Sequence, residues 1–547
     1  MKKAMMAAGA WAALAGATFA GGLDAGTLKV SPLDGEKWWG AVTLLGSRQP
    51  YSDLERRDLA TRNYCNPCAP LFVSSKGRYV WSDRPFAFAF ENGTLCIEHS
   101  DGEPRLFVGG KTLKDAYLAA CREHFPPTGR IPNELFFSRP QFNTWIESQL
   151  VGNGQRMVEG YIDAIVANRF PCGVFMVDDG WAPRDRYGDL VFDRETFPDP
   201  KSLFARARKA GMRTLLWLTP YVFGHADFYR EGVRRRLFIR YPQDGSVYAG
   251  SYWPTLPECG VLDLLDPNAW APIEARYRKF MVEYGFDGYK FDFTDAECLN
   301  YRDKRTGSAA PLAAGKAPVD YTEAWGRFAA AFEFHELRAG WKAGGLPLVY
   351  RLQDKKHSWQ DLAKLIPDML AAGLVGCAYT CPDMIGGGDG GHLREAQRTG
   401  TIDARLFVRS AEVQALMPMM QFSAAPWRIL NGRDLDCCRA AAELHVEFAP
   451  LIVELAHHAS RTGEPIVRTM EYEFPGQGFD ACLQQFMLGS DWLVAPVVRA
   501  DDSVEVRLPA GTWKDDLGEL HVGPATLRLE KVPLGRVPRF HNERKEN

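Results

Sequence analysis

Lys290 and Asp292 stand two apart in the run Asp287-Gly-Tyr-Lys-Phe-Asp-Phe-Thr-Asp-Ala-Glu297, which is apolar and aromatic before it ends in a cluster of acids. On an extended strand both side chains point to one face while Phe291 and Phe293 point to the other. A carboxylate beside a lysine stays ionised, the state that a nucleophile at a sugar's anomeric carbon needs. The same pair would equally serve as a structural ion pair at a strand end. Retaining glycoside chemistry needs a second carboxyl group, about 5 to 5.5 Å from the first, acting as general acid and then base. Arg351-Leu-Gln-Asp354 offers one just past the next strand-like run.

Other acids compete for roles. Asp295 and Glu297 follow Asp292 closely, and Asp383 opens the glycine-rich loop Asp383-Met-Ile-Gly-Gly-Gly-Asp-Gly-Gly391. That loop lacks the lysine of a phosphate-binding loop, so it reads as a place for Asp383 to meet substrate hydroxyls, or as a plain turn. Asp178-Asp179-Gly-Trp181 has no histidine and no calcium-loop spacing, so its acids read as hydroxyl acceptors or as a solvated turn.

The elements that must position these residues alternate strand with helix. Strands are expected at 141–145, 173–179, 213–221, 288–293, 346–351 and 375–383, with helices near 156–168, 200–210, 270–284, 321–343 and on to 372. Asp178, Asp179, Asp292, Asp354 and Asp383 all fall at or beyond strand C-termini, the rim where a (β/α)8 barrel builds its site. The predicted barrel occupies 131–470, with 465–470 as its last strand. An N-terminal β-sandwich is expected over 21–130, where short β-type runs alternate with turns up to Pro126, and a C-terminal β-sandwich over 471–547. The first 20 residues, with Lys2 and Lys3 before an apolar stretch and small residues near Ala20, read as a signal peptide, which predicts a periplasmic or secreted protein with no membrane span.

Composition narrows the partners. A chain of 547 residues needs several domains, and 46% hydrophobic residues with a net charge of -3 carry no bias toward nucleic acid. Fifteen Trp and nineteen Tyr supply rings that stack on sugars, though most must be core. Cys65-Asn-Pro-Cys68 has the spacing of a zinc half-site or redox pair, but no second pair follows at finger spacing and no thioredoxin context surrounds it. It reads as a local disulfide or two ordinary thiols.

From about Trp38 to Phe540 the chain resembles glycoside hydrolase family 31, most closely an α-galactosidase-like branch whose nucleophile motif is Lys-Phe-Asp-Ala-Gly-Glu. Lys290-Phe-Asp292, Arg351-x-x-Asp354-x-x-x-x-Trp359, Pro382-Asp-Met-Ile-Gly-Gly387 and Met417-Pro-Met-Met-Gln-Phe-Ser-Ala-Ala-Pro-Trp-Arg428 carry the resemblance. Here Asp292-Phe-Thr-Asp-Ala-Glu297 is two residues longer than the branch pattern, so Asp295 is a rival to Asp292. The resemblance implies double displacement on an α-glycoside, with Asp292 as nucleophile, Asp354 as acid/base and no cofactor or metal. It places Trp145, Asp178, Asp179, Trp217, Trp253, Lys290, Arg351 and Asp383 around a terminal sugar. Galactose or N-acetylgalactosamine at the end of an oligosaccharide or glycoconjugate is the implied substrate. An α-glucosidase, a sulfoquinovosidase or a non-catalytic carbohydrate-binding protein are the alternatives. The loop Tyr252-Trp-Pro-Thr-Leu-Pro-Glu-Cys259 is the expected seat of that choice.

Overall fold

A computed structural model describes residues 26–100, 102–250, 259–299 and 310–543, without the side chains of Glu297 and Cys298. The expected signal segment, Trp253 and most of the 252–259 loop lie outside these residues.

Eight parallel strands form the central ring. In order they are Gln141–Asn143, Val174–Val177, Arg213–Leu218, Gly288–Phe291, Phe334–Leu337, Tyr350–Arg351, a seventh in two pieces (Thr380–Cys381 and Met384–Ile385), and Gln421–Phe422. Each pairs in parallel with the next, and the eighth returns to the first. The two ends of the sheet are thus consecutive pieces of one strand, interrupted at Pro382 and Asp383, where proline has no N–H to give to a ladder. Strands buried on both faces read as continuous apolar runs, as in Val-Phe-Met-Val and Thr-Leu-Leu-Trp-Leu. Gly288 is needed where the fourth strand meets the fifth, because a Cβ there would lie 1.8 Å from the Phe334 carbonyl oxygen.

The helices between the strands carry their own start and stop signals. Asp199 and Asp266 cap Pro200–Lys209 and Pro267–Tyr284, each with proline in the first turn, and the second helix ends at Gly285 in the left-handed region.

Three expectations are corrected. The stretch read as one helix over 321–343 is a helix at Pro318–Ala329 followed by the fifth barrel strand, Phe334–Leu337. The eighth barrel strand is Gln421–Phe422, whereas Val467–Arg468, expected to close the barrel, pairs with Phe486–Leu488 in the C-terminal sheet. The β-type pattern taken to run to Pro126 stops at Val108, and Leu113–His124 is a helix with a Thr112/Asp115 capping box.

The N-terminal region has two antiparallel sheets, one of Gly26–Val30, Leu54–Asp58, Ala87–Glu91 and Thr94–His99, the other of Trp38–Val42, Pro67–Ser74, Arg78–Trp81 and Arg105–Val108. Tyr51, Phe72, Phe86, Phe88 and Phe90 fill its core ring against ring. Gly340–Trp341, just past the fifth barrel strand, adds in parallel to Pro67 and Cys68 of the second sheet. At the other end six antiparallel strands, from Val467–Arg468 to Arg539–Asn542, form one sheet around Met487, Leu493, Val506, Trp513 and Phe540. Among the described residues no helix is long and apolar enough to cross a membrane.

Candidate active site

The C-terminal rim of the barrel gathers the predicted residues that the structure describes. Asp178 and Asp179 follow the second strand, Trp217 is the last residue but one of the third, Lys290 lies in the fourth with Asp292 just beyond it, Arg351 ends the sixth, and Asp383 sits in the break of the seventh. Trp145 opens a helix after the first strand, and its indole N–H donates to the Gly388 carbonyl at 2.9 Å.

Asp292 is buried and fully engaged. The Trp217 indole donates to Oδ2 at 2.9 Å, the Phe293 amide to Oδ1 at 2.8 Å, and the Arg338 guanidinium lies 3.3 Å from Oδ1. Burial pushes this carboxyl up, but Arg338 and Lys290 outweigh it and hold it at about 2. Lys290 makes its own ion pair with Asp178 at 3.0 Å, and the Asn143 amide donates to the same oxygen at 2.9 Å.

Arg338 is the feature that sequence reading missed. It lies one residue past the fifth strand, and its guanidinium reaches Asp292 at 3.3 Å, Asp295 at 3.0 Å and Asp354 at 3.7 Å. The signal was the alternation in Phe332-Glu-Phe-His-Glu-Leu337, masked by the helical pattern before it. One buried cation therefore joins both candidate reaction carboxylates and the rival Asp295. Asp292 and Asp354 differ in access: the first side chain is 7% exposed and the second 26%.

Arg351 pairs with Asp354 and stands 3.6 Å from Asp383. Asp383 accepts from the Lys355 and Gly388 amides at 2.8 and 3.1 Å through Oδ2, while its buried Oδ1 has no hydrogen bond. Burial drives its carboxyl up to about 7 against the pull of Lys355 and Arg351, with Asp354 adding repulsion. A Cβ on Gly388 would lie 2.6 Å from Asp354 Oδ1 and 2.7 Å from Asp383 Oδ1, so that glycine lets the two acids stand close. Asp179 is raised to about 6 by burial, moderated by the Tyr187 hydroxyl, which donates to it at 2.9 Å. Below the rim Glu336 is buried beside Lys290 and Arg351 and accepts from Gln421 at 2.6 Å.

Among the described residues, the grouping of three acid and imidazole ligand atoms within 4.8 Å of one another is Asp515, Glu519 and His521, on the C-terminal sheet rather than the rim.

Comparison with known proteins gives the same outline. Residues 141–455 match the Glycosyl hydrolases family 31 TIM-barrel domain, and residues 463–541 the Glycosyl hydrolase family 31 C-terminal domain. The chain is 32% identical over 441 residues to a myogenesis-regulating glycosidase of Mus musculus, covering 79% of this chain and 60% of that protein. It is 25% identical over 471 residues to an alpha-xylosidase of Emericella nidulans, covering 80% of this chain and 56% of the other. It thus spans less than two thirds of the length of these relatives. The fold superimposes on a dextranase of Flavobacterium johnsoniae with a TM-score of 0.80 at 18% identity, over 96% of this chain and 67% of that one.

Proposed function

The chain belongs to glycoside hydrolase family 31, and on that premise we propose that it is a retaining, exo-acting α-glycoside hydrolase releasing terminal α-galactose or α-N-acetylgalactosamine from glycans. The observation that carries this reading is the Arg338 bridge between a sealed, ionised carboxylate and a more exposed one. That inequality is what double displacement asks of its two acids.

Asp292 attacks the anomeric carbon, and the bond to the leaving oxygen breaks as Asp354 gives that oxygen its proton. Asp354 then takes a proton from water, whose oxygen displaces Asp292 and restores the anomeric configuration. The strand end and the Trp217 N–H support Asp292 over Asp295 as nucleophile, since Asp295 lies farther along the loop. Trp145, Trp217 and Trp253 would wall the sugar, with Asp178, Asp179, Lys290, Arg351 and Asp383 meeting its hydroxyls. A carboxyl near 7, such as Asp383, both donates and accepts at neutral pH. The resemblance of Lys290-Phe-Asp292 to the nucleophile motif of the α-galactosidase-like branch is what supports galactose-type sugars. Export through residues 1–20 belongs to the same proposal, and the mature protein's N-terminal sequence would begin near Gly21.

The test is hydrolysis of p-nitrophenyl α-glycosides of galactose, N-acetylgalactosamine, glucose, xylose and sulfoquinovose by wild type and Asp292→Ala. Release from a galactose-type glycoside that vanishes in the variant supports the proposal. Release from another sugar corrects the specificity, and sugar binding without release from any would overturn hydrolysis in favour of a binding protein.

A further inference from the structure

The turn Asn63-Tyr-Cys-Asn-Pro-Cys68 belongs to the N-terminal region, yet it reaches the barrel rim. Its backbone is bent by two left-handed residues, Tyr64 and Cys65, with φ of 57° and 56°. Within the turn the Asn66 amide donates to the Asn63 carbonyl at 3.2 Å, and the Cys68 thiol donates to the same oxygen at 3.2 Å. The cysteine spacing that suggested metal or redox chemistry thus frames a tight turn, and what the turn presents is Asn66.

Asn66 is 1% exposed, and every hydrogen bond it makes has a use. Its side-chain Oδ1 accepts from the Gln353 amide at 2.8 Å, and Gln353 immediately precedes Asp354. Its backbone carbonyl accepts from the Gly340 amide at 3.3 Å, two residues beyond Arg338. Its side-chain amide donates back to the Tyr64 carbonyl at 2.8 Å, which locks the rotamer. The adjoining Pro67 and Cys68 pair in parallel with Gly340 and Trp341. One residue from another region of the fold therefore ties together, by its backbone carbonyl and its side chain, the two rim segments that carry Arg338 and Asp354.

We propose that Asn66 is a positioning residue for the proposed acid/base Asp354, fixing through the Gln353 amide the distance at which that carboxyl meets the leaving oxygen. The proposal rests on the hydrolytic reading given above. A buried amide left without its acceptor seeks another partner, and a shift of about 1 Å in a catalytic group costs on the order of 10²-fold in rate.

Leaving-group dependence separates positioning from general support. A p-nitrophenolate leaves with little proton donation, whereas an alkoxide from an α-linked disaccharide needs the acid in place. In Asn66→Ala, kcat/KM on the disaccharide should fall at least about 10-fold further than on the p-nitrophenyl glycoside, with KM nearly unchanged. The basic limb of the pH profile, which reports the acid, should move as well. Asn66→Asp keeps an acceptor for Gln353 but loses the donor to Tyr64 and buries a charge, so it should restore only part of the disaccharide rate. Asn66→Ser, one bond too short to reach that amide, gives the same reading if Asn66→Ala does not fold. Equal losses on both substrates would overturn the positioning role while leaving hydrolysis intact. Failure of the wild type to cleave either substrate would instead sink the hydrolytic reading on which the proposal depends.

Discussion

Asp292 and Asp383 are both sealed from solvent on the rim of one barrel, yet one is held at about 2 and the other is pushed up to about 7. The loss of water is common to both, so burial does not separate them. What differs is how many charges and donors face each oxygen. Asp292 has an N–H donor on each oxygen, from Trp217 and Phe293, and faces two cations: Arg338, which it shares with Asp295 and Asp354, and Lys290, whose other partner Asp178 is held by Asn143 as well. Asp383 shares Arg351 with Asp354, and its Oδ1 has no hydrogen bond. Cations are shared at both acids, so the donor on each oxygen is what keeps one carboxylate ionised, while an oxygen without a donor and the nearby charge of Asp354 leave the other able to hold a proton.

The strongest way to break this contrast is at Asp292 itself. Asp292→Asn keeps the shape and the Trp217 contact but removes the nucleophile, and kcat on the preferred glycoside should fall by about 10³-fold or more. Turnover within about 10-fold of wild type would move the nucleophile to Asp295 or elsewhere.

Next in size is Arg338→Met, which removes the shared cation while keeping the bulk of the side chain. Burial is then opposed only by Lys290 and the Trp217 and Phe293 N–H groups, so the Asp292 carboxyl rises from about 2. The acidic limb of kcat/KM should move to higher pH, with a loss on the order of 10²-fold at neutral pH. An unmoved limb would show that Lys290 and the two N–H donors suffice to keep Asp292 ionised.

Asp383→Asn sharpens the other side. A carboxyl whose folded pKa lies above its unfolded 3.8 contributes stability that is complete below 3.8 and is lost as pH rises through about 7. The amide mimics the protonated acid, so the variant's Tm should decline less than wild type's between pH 5 and about 7.5 in a thermal melt. Asp292 has the opposite sign: its contribution is present above 3.8 and is lost as pH falls through about 2. Parallel Tm curves for wild type and Asp383→Asn would mean that Asp383 is ionised throughout.

The smallest effect is expected at Tyr187→Phe. Without that hydroxyl the Asp179 carboxyl loses a stabilising donor and moves above about 6. Loss of one hydrogen bond at the pocket edge should raise KM by roughly 3- to 10-fold with kcat nearly constant. A change in kcat alone would place Tyr187 in the reaction rather than in binding.

Most of the rim was legible because barrel strands write themselves in apolar runs, and the acids follow those runs directly in the chain. Asp178, Asp179, Asp292, Asp354 and Asp383 all lie where strand ends predict them. Arg338 was hidden because the fifth strand is short and follows a helix that ends at Ala329, so the local pattern averaged to helix. Asn66 was hidden for another reason: its partner Gln353 is 287 residues away, and nothing in the Cys65-Asn-Pro-Cys68 spacing points to it. Val467–Arg468 was misplaced because a short apolar run fits a barrel strand and a flanking sheet equally well.

By itself, then, the chain determined the barrel class, the order of its strand-end acids and the placing of Lys290 and Asp292 two apart at one strand end, since these follow from periodicity and near neighbours. Only the tertiary structure decided which cation serves which acid, and that an asparagine from the N-terminal sheets holds the loop of Asp354. Charge sharing depends on distances across the barrel, and those are set when strands far apart in sequence close into a ring.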